Sequence, residues 1–308
     1  MRVYLNPYCD FGKGRIKWRK IEPALRVRFG AFELDEIQSP LQLSSQIEEA
    51  IEGGERLFIA AGGDGTVNLM VNALMASSAP GQEFVLGAVG LGSSNDFHKP
   101  FRSETFIRGV PTRMNQKEAF PYDIIRIRYR NGQDHTLIRY SIINASIGIT
   151  AQANALYNSR LPFIVWIKRF SHDGAVVASA LKAIFSYKNI PCTLTLGKSE
   201  ARNFHLTNLG IIKNPHFAGG LCYDTCIKPD DGKLGVNLCA GMTKFETIKT
   251  LAKLYKRQFW GQPKTHSWYV NKLCVESALP FALEMDGEVV SAQYAEFELL
   301  PRAMRCCR

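Results

Sequence analysis

The residues best equipped for chemistry lie where an apolar run, Leu57-Phe58-Ile59-Ala60-Ala61, enters Gly62-Gly63-Asp64-Gly65-Thr66. Glycines permit positive φ and leave no Cβ to bar another group from the backbone. A helical pattern follows from Val67 to Met75. Its first N–H groups and the positive end of its dipole would face the glycines, making an anion cradle, and phosphate is the usual anion. Asp64 is out of place there unless it meets a cation or a proton donor. That suggests a metal-bound phosphate, or a hydroxyl about to lose its proton. A glycine-rich strand-to-helix turn can also be purely structural. Asn6-Pro7 through Gly12-Lys13-Gly14 offers backbone donors plus a cation, as a second phosphate contact or as a plain surface turn. Gly90-Leu91-Gly92-Ser93-Ser94-Asn95-Asp96-Phe97 is a loop of small polar residues. Asp286-Gly287-Glu288 sets two carboxylates around a glycine at a hairpin tip, which a routine Asp-Gly type I′ turn also explains.

The elements that must position these loops are short. Val3 to Leu5, Phe32 to Ile37, Leu57 to Ala61 and Phe84 to Val89 read as strands. Ser39-Pro40 breaks the second, and Leu43 to Ile51 reads as an amphipathic helix closed by Gly53-Gly54. The βαβαβ order predicts a parallel sheet with helices on both faces. Ligands of such sheets sit at the carboxyl ends of the strands, where all three loops fall. From Tyr122 the texture alternates, and Asn131-Gly132 signals a hairpin. Strands are expected in Leu137 to Ile149, Leu194 to Leu196, Leu206 to Ile212, Leu234 to Leu238, Leu273 to Val275 and Phe297 to Leu300. The boundary is placed so that residues 1–122 form a nucleotide-binding α/β domain and 123–293 a mostly antiparallel β domain. A helical insertion at 160–188 contains one helix, Phe163 to Tyr187, with Trp166, Lys168 and Arg169 near its start. Such a helix could touch a membrane surface or pack on the β domain. Arg302 to Arg308 is expected to fray.

Composition narrows the classes. The chain has 308 residues, 46% hydrophobic and 21% charged, an ordinary globular balance that favours two domains. No stretch approaches the ~18 apolar residues of a membrane span, and the N-terminal apolar run is too short for a signal peptide. A net charge of +10 points to polyanions: nucleic acid, nucleotide phosphates or an anionic membrane. The charge is scattered and no nucleic-acid signature is present, so no nucleic-acid partner is expected. The eight cysteines form no zinc-like spacing and suggest no disulfide framework, which fits a reducing cytosol. The expected location is cytoplasmic, peripheral at a membrane when engaged. Self-association into a homodimer is left open.

The order of the motifs resembles the diacylglycerol kinase catalytic domain family, including soluble bacterial lipid kinases and the sphingosine and ceramide kinases, over nearly the whole chain. Gly62 to Thr66 matches its GGDGT motif, Gly92 to Phe97 its G-T-x-N-D-F loop, and Asp286-Gly287-Glu288 its late D-G-E. Asp123 matches the family's Asp opening the β domain, and Asn214 to Gly232 its N-x-x-x-x-G-G…P-x-A-x-x-D-G segment. The resemblance implies an N-terminal doubly wound α/β domain of the NAD kinase/diacylglycerol kinase type and a C-terminal antiparallel β-sandwich. It also implies a last strand, about 294–304, returning to the first domain. It implies ATP in the interdomain cleft with Mg²⁺, a lipid alcohol such as diacylglycerol as acceptor, and a place in phospholipid biosynthesis. Nucleotide contacts would come from Asn6, Lys13, Ser39, Gly62, Gly63, Asp64, Gly65, Thr66, Asn68, Ser93 and Asn95. Glu288, with Asp286 and Asp64, would do the proton chemistry. Asp231, with the backbone carbonyls of Lys228 and Lys233, would hold a structural Mg²⁺. Asp10 and Leu69 depart from the family's glycine and glutamate. Two other readings stand beside this one: a soluble-substrate kinase of the NAD kinase kind, and a non-catalytic nucleotide- or lipid-binding module.

Overall fold

The apolar strands and their glycine stops build two units in the computed structural model, Met1–Ile124 with Pro301–Arg308, and Ile125–Leu300. It describes residues 1–77, 83–99, 105–132, 135–159 and 161–308, apart from the side chains at 169, 172 and 173. The sequence-based boundary fell two residues before this division.

In the first unit the order is β1 (Arg2–Leu5), α1 (Cys9–Gly12), α2 (Gly14–Phe29), β2 (Glu33–Glu36), α3 (Pro40–Glu52), β3 (Leu57–Gly62), α4 (Asp64–Ser77) and β4 (Val85–Gly90). β4, β3, β1 and β2 lie side by side, all parallel. β3 and β4 are buried at every position, as central strands covered on both faces must be. On one face Trp18, Ile21 and Leu25 of α2 pack with Val3, Leu5, Leu57, Ile59 and Ala61. On the other, Tyr4 stacks on Phe58 and donates its hydroxyl to the Gln46 carbonyl of α3 at 3.3 Å. β5 (Phe106–Ile107) and β6 (Val110–Arg113) form a hairpin, and β6 runs antiparallel to β4.

In the second unit an antiparallel β-sandwich is assembled from β7 (Phe120–Arg130), β8 (Leu137–Ser141), β9 (Asn144–Gly148), β10 (Ile190–Leu196), β11 (Arg202–Ile212), β14 (Leu234–Ala240), β15 (Thr265–Val270), β16 (Lys272–Met285) and β17 (Glu288–Cys306), while β12 (His216–Phe217) and β13 (Leu221–Cys222) pair with each other as a separate two-stranded sheet. β7 enters it from the first unit, and β17 leaves it at Pro301. Ile125, Ile127, Ile147, Leu209, Val236, Val275, Leu283 and Phe297 are among the core residues.

Four expectations are corrected. Leu137 to Ile149 is not one strand region: β8 and β9 are parted by a turn at Ile142-Ile143, and α5 (Ile149–Asn158) starts where Gly148 takes φ 101°. The single helix Phe163 to Tyr187 is two, α6 (Pro162–Phe170) and α7 (His172–Ser186). Ser171 parts them: its backbone is extended, and its hydroxyl accepts the Gly174 amide at 3.0 Å as an N-cap. Residue 160, where the insertion was expected to start, lies outside the described residues. β16 runs on through Pro280 because its register with β17 shifts between Glu276 and Phe281, and an irregularity tolerates a residue without an N–H. The tail does not fray. Arg305 and Cys306 pair with Val85 and Leu86 of β4 in parallel, and Cys306 and Cys307 are buried.

Candidate functional site

Three loops meet at the carboxyl edge of the first unit's parallel sheet. Each is fixed by a side chain reaching into the next. After β1, Asn6 donates its amide to Thr66 Oγ1 at 3.0 Å and accepts the Tyr8 N–H at 3.1 Å. Thr66 is buried and folds back over Gly62, where a Cβ would sit 2.2 Å from its hydroxyl. After β3, Gly63 lies against Gly92 of the loop after β4. A Cβ on Gly92 would stand 2.6 Å from the Gly63 Cα. Only two glycines can pass this closely.

Asp64, the first residue of α4, accepts the Asp96 N–H at 3.0 Å and the Phe97 N–H at 2.9 Å. It therefore ties the two glycine loops together. Asn95 takes φ 49° and donates to the carbonyls of Gly90 and Gly92 at 3.2 and 3.0 Å. Ser94 donates to Asp96 at 2.7 Å, and Lys99 pairs with the same carboxylate. Lys17 of α2 spans the first and third loops, donating to the Leu91 carbonyl at 3.0 Å and pairing with Asp10 at 2.9 Å. The family's glycine position is thus used here for an ion pair.

Beneath this lie His98 and Arg113. The Arg113 guanidinium donates to the His98 carbonyl at 3.1 Å and sits 4.9 Å above the Phe97 ring centroid. Burial first, then the Arg113 charge, push the His98 pKa well below its ordinary value of 6.5. Burial likewise lowers that of Arg113 to about 10.

Of the residues expected to meet nucleotide, Asn6, Gly62, Gly63, Asp64, Thr66 and Asn95 are brought together by these bonds. Gly65 is exposed at the start of α4, with open space where a Cβ would be. Lys13 and Ser93 are exposed on the first and third loops. Ser39 follows β2 at the same sheet edge and caps α3, accepting the Gln42 N–H at 3.2 Å. Asn68 is buried in α4, and its side-chain oxygen accepts the Asn72 amide at 3.2 Å.

In the second unit Asp286 and Gly287 both take positive φ, 47° and 99°, between the paired Met285 and Glu288. That is the turn an Asp-Gly pair favours. Asp286 is buried and accepts from the Ser141 hydroxyl at 2.7 Å and from the amides of Ile142, Ile143 and Asn144 at 2.8, 3.1 and 2.8 Å. This commits its carboxylate to holding the turn. Glu284, also buried, accepts from Ser146 at 2.7 Å and from the Gly287 N–H at 2.6 Å. Asn158 of α5 donates to the Gly287 carbonyl at 3.0 Å. Glu288 is the carboxylate of the motif left exposed. Sequence reasoning gave no part to Glu284 or Asn158. A charged residue between Leu283 and Met285 in an apolar strand was the signal for the first.

Asp231 does not suit a divalent ion. Its Oδ1 takes the Lys213 ammonium at 2.7 Å and the Lys233 N–H at 3.2 Å, and its Oδ2 takes the Lys228 N–H at 2.9 Å. The Lys233 carbonyl, expected to ligate metal, accepts the same ammonium at 2.9 Å. Burial raises the Asp231 pKa, but the Lys213 bond and charge and the two amides outweigh it, and the net shift is downward. Among the described residues no three His, Cys, Asp or Glu side chains gather as a metal cluster would. Where Asp231, Lys228 and Lys233 were expected to hold Mg²⁺, the structure shows a lysine-centred ion pair between Lys213 and Asp231.

Against known proteins, residues 1–127 match the diacylglycerol kinase catalytic domain, and residues 144–308 match the YegS C-terminal NAD kinase beta sandwich-like domain. A protein of Shewanella frigidimarina named probable lipid kinase YegS-like is 24% identical over 259 residues, 84% of this chain and 78% of its own. A solved diacylglycerol kinase from Bacillus anthracis superposes with a TM-score of 0.67 at 14% identity, over 99% of this chain and 95% of that one. Yeast NADH kinase, solved with NADH, shares the fold at a TM-score of 0.52 and 10% identity, over 100% of this chain and 83% of that one. The chain belongs to the lipid kinase family that joins a diacylglycerol kinase catalytic domain to a YegS-type β-sandwich, and by that membership it is a kinase.

Proposed function

We propose that this chain transfers the γ-phosphoryl group of MgATP, taken up as substrate, to the hydroxyl of diacylglycerol or a related lipid alcohol. One observation carries the reading: the Gly63–Gly92 approach at the start of α4, locked by Asp64. It leaves backbone donors and a helix N-terminus on one edge, the arrangement that grips phosphate. Phosphoryl transfer mainly asks for positioning and charge neutralisation. Lys13 would neutralise phosphate from the first loop, and Glu288 would accept the proton of the attacking alcohol. Asp64 and Asp286 would serve as positioning residues, because both carboxylates are spent on backbone amides. Both units would have to act on one substrate pair.

The acceptor would be met at an anionic membrane surface. α6 and α7 expose Phe163, Trp166, Phe170 and Phe185, and Lys182 and Lys188 are exposed in the same segment. Among the described residues no helix is long and apolar enough to cross a bilayer.

The test is ADP release from ATP with diacylglycerol and other lipid alcohols in mixed micelles, with NAD as a parallel acceptor and mass spectrometry of the product. Phosphorylated lipid is expected. Phosphorylated NAD would move the chain to the soluble-substrate branch, and nucleotide binding without ADP release would make it a sensor. Glu288→Gln should keep ATP binding and lose ~10²–10⁴-fold in turnover. Full turnover in that variant would remove Glu288 from the chemistry.

A further inference from the structure

We propose that Lys213 is a built-in cation, its ammonium doing in this chain what a structural divalent metal would do, so that the loop from Lys228 to Lys233 is ordered without metal. The Lys213 side chain is fully buried. Its ammonium contacts a carboxylate oxygen and a backbone carbonyl, at 2.7 and 2.9 Å, the same oxygen types that hard cations select. Mg²⁺ demands oxygens at about 2.0–2.1 Å in near-octahedral order. Here both oxygens are already turned to an ammonium at hydrogen-bond distance. The Asp231 carboxylate is thus already paired with the Lys213 ammonium. A divalent ion added beside them would bring further positive charge against a lysine that is buried and cannot swing into water.

The pair also braces more than its own loop. The backbone amides of Lys213 and Asn214 both donate to the Ile143 carbonyl, at 2.9 and 3.0 Å. The Ile143 amide in turn donates to Asp286, and Asp286 adjoins Gly287 and Glu288. Asp231, Lys213, Ile143 and Asp286 form a continuous bonded line ending at the Glu288 turn. The inference does not depend on which alcohol, if any, the chain phosphorylates.

The experiment is thermal unfolding of the full chain, free of nucleotide, in EDTA and in millimolar Mg²⁺, for wild type, Lys213→Ala and Asp231→Asn. The wild-type melting temperature should be the same in both media to within about a degree. Lys213→Ala leaves the half-buried Asp231 carboxylate without its counter-charge and empties a fully buried side-chain site, and its melting temperature should fall by roughly 5 °C in EDTA. Mg²⁺ should restore part of that loss. The proposal is overturned by a wild-type gain in Mg²⁺ that Asp231→Asn abolishes, or by a Lys213→Ala protein as stable in EDTA as wild type. Should that variant fail to fold, Mn²⁺ paramagnetic resonance on wild type and Asp231→Asn decides. A bound signal lost on Asp231→Asn overturns the proposal, and equal spectra sustain it.

Discussion

His98 sets a pH limit on the first unit. Its folded pKa lies well below 6.5, through burial and then Arg113, so the folded protein keeps it neutral while the unfolded chain charges it near 6.5. Below that value the unfolded state binds the extra proton, and stability falls as pH falls. The slope from this one group is about 1.4 kcal/mol per pH unit at most. Urea unfolding followed from pH 7.5 to 5 should show the decline, and His98→Asn should flatten it. An equal slope in both proteins would place the titration elsewhere. The carboxylates show how far sequence reaches at this scale. Asp64, Asp286 and Glu288 could be picked out by type and spacing. Their division of labour could not, because the amides that Asp64 and Asp286 accept come from residues 96–97 and 142–144. The Lys213 partner of Asp231 was hidden for the same reason: nothing near Asp231 in sequence announces that Lys213, eighteen positions earlier, ends on its oxygen.

The elements carry the cradle. α4 starts at Asp64, only Gly63 separating it from β3, so a change in how the glycine loops touch is felt at the helix start. Gly92→Ala would put a methyl 2.6 Å from the Gly63 Cα and force the loops apart. The expected outcome is a loss of ATP affinity of at least tenfold in calorimetry, with about 1–3 kcal/mol of stability lost to overpacking. Unchanged affinity would take the loop contact out of nucleotide binding. The strands around the cradle were legible because β3 and β4 are apolar runs stopped by glycine, whereas α2, which carries Lys17, was not singled out. The helical layer of the second unit was less so. The apolar residues from Phe163 to Phe185 suit one long helix, and only the cap made by Ser171 on Gly174 divides them.

For the molecule as a whole, the charge of +10 and the exposed aromatic residues of α6 and α7 should act together on lipid. Co-sedimentation with vesicles containing anionic lipid should weaken between low and physiological salt, as screening shortens to about 8 Å. Trp166→Ala with Phe170→Ala should reduce binding at both salt levels and leave the melting temperature within a degree or two. Binding unaffected by the double variant would exclude this face. The two-unit plan was legible from the change of texture near Tyr122. That the final strand is one piece from Glu288 to Cys306 was foreshadowed only by the resemblance, which implied a strand over about 294–304; from the residues alone, Pro301 and the basic residues after it read as an ending.

That strand also constrains the order of folding. Val85 and Leu86 of β4 wait for Arg305 and Cys306 as neighbours. During vectorial synthesis the nascent first unit must hold an unsatisfied edge while nearly two hundred further residues emerge. Its sheet is therefore completed only after the whole of the second unit has been made, however early its own strands appear.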